Sequence, residues 1–99
     1  MVQINWTYQA KFDIKNIASY IAKDSKRYAK LQVDRLIERV KILSIQPYSG
    51  KIVPEIDKEN IRELIEGNYR IIYKVVTKNR IDILTVHHTA RDLYNRKIT

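Results

Sequence analysis

Tyr69-Arg70-Ile71-Ile72-Tyr73-Lys74-Val75-Val76-Thr77, then Lys78-Asn79-Arg80, then Ile81-Asp82-Ile83-Leu84-Thr85-Val86-His87-His88: this stretch decides how the chain folds. Two runs rich in Ile, Val, Tyr and Thr, parted by a short turn, read as adjacent antiparallel strands. Both runs are apolar on both parities, as at Ile71 beside Ile72 and Ile83 beside Leu84, so both faces of the sheet call for cover. Upstream, Ile61–Ile65 alternates and reaches Tyr69 through Glu66-Gly67-Asn68, which predicts a third strand in the same meander. Ile52–Ile56 contains Pro54, which removes a ladder donor, so this segment is an edge strand or less.

Before Gly50 the period changes from two to 3.6. Ala10, Ile14, Ile17, Ala18 and Ile21 form the stripe of one amphipathic helix, and Ala29, Val33, Leu36, Val40 and Leu43 form that of a second. Asp24-Ser25 separates them, with Ser25 placed to cap the second helix. So short a break implies an antiparallel helical hairpin. Gln46-Pro47-Tyr48-Ser49-Gly50 ends the helical region, because Pro cannot continue a helix and Gly supplies the turn. Val2–Thr7 alternates again and predicts a half-buried N-terminal strand. The expected fold is α+β: an N-terminal strand, then an αα-hairpin packed on a small antiparallel β-sheet, one domain over residues 1–99. The hairpin covers one face of that sheet, and the leftover apolar face is a candidate docking surface.

The chain has no Cys, which removes disulfides, thiolate nucleophiles and sulfur-ligated metals. Its formal charge of +8 is unevenly spread: basic residues dominate 26–51 and 69–99, whereas acidic residues dominate 52–68. Clustered basic charge favours nucleic acid or an acidic protein as partner. No apolar run approaches the ~20 residues of a membrane span, and Met1–Trp6 lacks the features of a signal peptide. A cytoplasmic protein away from membranes is expected. His87-His88 and the scattered carboxylates lack zinc or calcium spacing, and Gly50 and Gly67 are isolated, so neither metal nor cofactor is expected.

Four short stretches carry a family resemblance: Tyr20-Ile21-Ala22, Pro47 to Gly50, Tyr69-Arg70-Ile71-Ile72-Tyr73, and His88-Thr89-Ala90-Arg91-Asp92-Leu93. In this order and spacing the chain resembles the RelE/ParE superfamily of toxins, from the N-terminal strand through Asp92. The first and last stretches look closer to the ParE branch. The resemblance implies a toxin of a type II toxin–antitoxin, plasmid-stabilisation-like system, neutralised by a cognate antitoxin. ParE-like members poison DNA gyrase; RelE-like members cut mRNA on the ribosome. It thus implies gyrase as the target, with ribosome-bound mRNA as the alternative, and an enzyme only in the second case.

Metal-free RNA cleavage needs a base, an acid and cations to meet charge on phosphorus. Arg70 and Arg91 stand where the resemblance places basic residues of RelE-like nucleases, and either has the fork to clamp a phosphate. His88 supplies an imidazole, the side chain suited to acid–base work near neutral pH. Arg62 and Tyr73 are candidate binding residues. Against the nuclease stands the strand Ile61–Ile65, where Arg62 is flanked by Glu63 and Glu66, charge that repels mRNA. Each residue also has a structural reading: His88 bonding a chain end, Arg62 and Arg70 pairing with Glu63, Glu66 or Asp82, and Tyr73 as core. In a regular strand Arg70 and Tyr73 face opposite sides, so they do not line one site.

Overall fold

The computed structural model describes residues 2–89. The elements are β1 (Gln3–Trp6), α1 (Tyr8–Ala22), α2 (Lys26–Val40), a 3-10 turn (Lys41–Ser44), β2 (Lys51–Ile52), β3 (Ile61–Glu66), β4 (Tyr69–Thr77) and β5 (Arg80–His88). Both helices begin at capping side chains. The Thr7 hydroxyl accepts from the Ala10 amide at 3.2 Å, and the Ser25 hydroxyl from the Tyr28 amide at 3.1 Å. Such a cap satisfies one orphan donor and contributes about 1 kcal/mol.

The five strands of the described residues lie in the order β1-β5-β4-β3-β2. β2 to β5 form the expected antiparallel meander. β1, however, runs parallel to β5, pairing Gln3 with Arg80 and Trp6 with Ile83, so the sheet is mixed. The helical hairpin and the strands β2 to β4 together form the long connection between the two parallel partners.

The helices pack on one face of the sheet. Ala10, Leu36, Val40 and Leu43 meet Leu64, Ile71, Tyr73, Val75, Ile81, Ile83 and Val86 in the main core. The opposite face is not left open as the sequence reading expected. Val53 and Ile56, from the connection between β2 and β3, pack over Ile61, Ile72 and Leu84 and build a second, smaller core. This strap turns back on itself through amide bonds from Ile56 and Asp57 to the Val53 carbonyl, at 3.1 and 2.8 Å. Asp57 takes the left-handed conformation at φ 54° to complete the turn.

β5 is irregular where α1 docks. Ile72 pairs with Thr85 but Tyr73 pairs with Ile83, leaving Leu84 as an extra residue, a β-bulge. The bulge directs the Val86 amide toward α1, where the Asp13 carboxylate accepts it at 3.1 Å and also accepts the Thr85 hydroxyl. Thr7 fixes the start of the same helix on this bulge, its hydroxyl donating to the Ile83 carbonyl at 2.6 Å.

Candidate functional site

The residues singled out in the sequence fall into three places. The first is the outer face of the sheet, where Arg70 on β4 stands opposite His87 on β5. Its Nε donates to Glu63 at 2.7 Å and its Nη1 to Glu55 at 2.7 Å, while Nη2 reaches both carboxylates at 2.9 and 3.3 Å. Only 11% of the Arg70 side chain is exposed, and Glu63 is buried as well. The Arg70 guanidinium holds the Glu55 carboxyl down at about 2, chiefly by hydrogen bonding. The same bonds raise the Arg70 pKa further above its usual range. Glu63 is a pairing the sequence suggested. Glu55 was missed, because nothing in Val53-Pro54-Glu55 announces that the strap folds back over β4.

The second place lies on the helix face, where Tyr73 and Arg62 occupy paired positions of β4 and β3. Tyr73 is fully buried, and burial raises its pKa. Its hydroxyl donates to the Pro47 carbonyl at 2.8 Å and accepts from the Gly50 amide at 3.0 Å. Arg62 braces the same turn from outside, donating to the carbonyls of Gly50 at 3.0 Å and Glu59 at 2.9 Å. Its guanidinium also stacks on the Tyr48 ring, 4.9 Å from the centroid. Gly50 is required here because a Cβ would stand 2.5 Å from the Glu63 carbonyl.

The third place is a groove of about 660 Å³ between α1 and the ends of β4 and β5. His88 lies in it, edge-on to Tyr69 with ring centroids 5.5 Å apart. Phe12, Asn16, Tyr20 and Lys23 of α1 and the turn after it form the facing wall. The signal for this wall was present in the sequence: Phe12 and Tyr20 are large aromatics that fall off the apolar stripe of the first helix.

Arg70 and Tyr73 therefore lie on opposite faces, as strand geometry requires. Arg70 and His88 do as well, since Arg70 pairs with His87 and His88 pairs with Tyr69. Arg91 lies outside the described residues. Among the described residues no group of three or more His, Asp or Glu is placed to hold a metal ion, and no helix is long and apolar enough to cross a membrane.

Residues 4–93 match the family described as the ParE toxin of the type II toxin–antitoxin system parDE. Among solved structures, the chain resembles one of the chromosomal ParDE toxin–antitoxin system from P. aeruginosa. The TM-score is 0.73 at 24% identity, covering 89% of this chain and 96% of that one. It also resembles a chain of the toxin–antitoxin complex RelBE2 from Mycobacterium tuberculosis, with a TM-score of 0.63 at 20% identity over 88% of this chain and 96% of that one. No curated protein matches the sequence.

Proposed function

The chain belongs to the ParE toxin family of type II toxin–antitoxin systems, and on that footing we propose that it arrests growth by inhibiting DNA gyrase until a cognate antitoxin binds it. The observation that carries the gyrase reading over RNA cleavage is the state of Arg70. Its guanidinium makes four hydrogen bonds to two carboxylates, which leaves little donor capacity for a phosphate. Glu55 and Glu63 also place negative charge where a substrate phosphate would have to approach. His88, the other half of an acid–base pair, faces the opposite side of the sheet. A protein that acts by seizing its target needs surface rather than such a pair.

The antitoxin is the second half of the proposal. A chain with a formal charge of +8 favours an acidic partner, and steering between opposite charges makes association fast and salt-sensitive.

Pulse labelling after tightly controlled expression in a bacterium, without antitoxin, tests the reading. DNA synthesis failing first while translation continues is the expected result. Immediate arrest of protein synthesis overturns it in favour of a ribosome-dependent mRNA endonuclease, and Arg70, His88 and Arg91 then become the residues to replace.

A further inference from the structure

Phe12, Asn16 and Tyr20 follow one another at four-residue spacing along α1, so they stack on one side of the helix. None belongs to the core, and Phe12 is 49% and Tyr20 72% exposed. With Lys23 they make the α1 wall of the groove that Tyr69 and His88 close on the other side. Gln9 and Lys23, at its two ends, are separated by about 21 Å of helix. Lys23 Nζ stands over the Tyr20 ring, 5.8 Å from its centroid.

The exposed charge lining this groove is that of Lys23. Lys15 and Lys11 are exposed further round the helix. The one carboxylate within α1, Asp13, is buried and accepts from Gln9, Thr85 and Val86. Asp24 follows in the turn, where Lys23, Lys26 and Arg27 outnumber it.

We propose that this groove binds single-stranded nucleic acid, with bases stacked on Phe12 and Tyr20 and a phosphate held at Lys23. Aromatic faces stack on any base, and a cationic rim follows the backbone, the combination by which single strands are held without regard to sequence. The Asn16 amide between the two rings offers a donor and an acceptor to a base edge. The cation over Tyr20 sets a phosphate partner next to a stacked base. A duplex keeps its bases paired and stacked inside, away from these rings. An acidic peptide would satisfy Lys23 but has no need of two flat aromatic faces. The site contains none of Arg70, Glu55 and Glu63, though His87, which stands opposite Arg70, also lines it; the proposal does not depend on gyrase being the target.

Fluorescence anisotropy of the whole protein with 5′-fluorescein-labelled (dT)12 and (rU)12, and with a duplex of the same length, tests it. Both single strands are expected to bind more tightly than the duplex. Phe12→Leu and Tyr20→Leu, which keep apolar bulk but lose the ring, should each weaken binding about tenfold. Lys23→Ala should reduce the slope of log K against log salt by about 0.7. Far-UV circular dichroism and melting establish that these surface variants fold. Three results overturn the proposal: no binding to either strand, equal affinity for the duplex, or affinity unchanged in the Phe12→Leu/Tyr20→Leu double variant. A fluorescein-labelled poly-glutamate peptide whose binding depends on the same two rings, with no single-strand binding, would assign the groove to an acidic protein instead.

Discussion

The Asp13 carboxylate accepts a hydrogen bond from the hydroxyl of Thr85, 72 residues further along the chain, at the point where β5 bulges. One side chain thereby meets both donors that the bulge turns toward the first helix, since the Val86 amide ends on the same oxygen. The pair joins helix to sheet more specifically than apolar contact does, because a shift of either element would strand a buried donor. Replacing Asp13 by Ala leaves the Thr85 hydroxyl and the Val86 amide without this acceptor, at roughly 1–3 kcal/mol each. Asp13→Ala is expected to lose about 3 kcal/mol in urea unfolding, and Asp13→Asn, which keeps one acceptor oxygen, distinctly less. Equal, small losses for the two would show that the carboxylate does not hold the bulge.

The Pro47–Gly50 turn gives a second expectation. Tyr73→Phe deletes the hydroxyl bonded to both Pro47 and Gly50 and should cost roughly 1–3 kcal/mol. Gly50→Ala should cost more, because its Cβ collides with backbone at the Glu63 carbonyl. Gly67→Ala meets open space and bears only its backbone conformation at φ 58°, about 1 kcal/mol. Melting temperatures should therefore fall least for Gly67→Ala and most for Gly50→Ala.

Acid sensitivity follows from the strap. Glu55 ionises at about 2 in the folded chain against an ordinary 4.5, so between those values the unfolded chain binds the extra proton. Its contribution is complete above pH 4.5 and is lost as the pH falls through the folded value near 2. Unfolding free energies measured from pH 5 to pH 2 should decline less steeply in Glu55→Gln than in the parent. Parallel curves would mean that Glu55 and Arg70 are not coupled in solution.

The same pairing complicates any functional test of Arg70. Arg70→Ala abandons two carboxylates, one of them buried, and should destabilise by about 3 kcal/mol. Loss of toxicity in that variant therefore says nothing about chemistry. His88→Ala is the cleaner probe, since His88 is partly exposed at the groove and contacts Tyr69 by its ring edge. Under the gyrase reading, His88→Ala should still stop DNA synthesis in pulse-labelled cells. Complete loss of arrest, in protein that melts normally, would count for acid–base catalysis.

Periodicity carried most of the fold. The two helical stripes, the Ser25 cap and the Tyr69–Thr77 strand are local patterns, and the structure places each where its residues put it. What escaped was non-local. Nothing in Val2–Thr7 states that its partner is β5 or that the pairing is parallel. Nothing in Val53-Pro54-Glu55-Ile56 states that this segment folds over the sheet instead of exposing it. The candidate site divides in the same way. Strand parity correctly separated Arg70 from Tyr73, whereas the partnership of Arg70 with Glu55 needed a fold-back that sequence spacing does not encode.

The pairing of β1 with β5 sets when this domain can exist during its own synthesis. Asn5 and Asp82, hydrogen-bonded across the β1–β5 pair, are 77 residues apart. The chain is made from its N-terminus, so the sheet cannot close until β5 has left the ribosome. Contacts of such long range slow folding, because a large loop must be ordered before they repay it. A nascent chain that stalls before Arg80 lacks the strand that seats both β1 and the first helix. Premature termination anywhere upstream of β5 is therefore expected to yield a fragment without this fold.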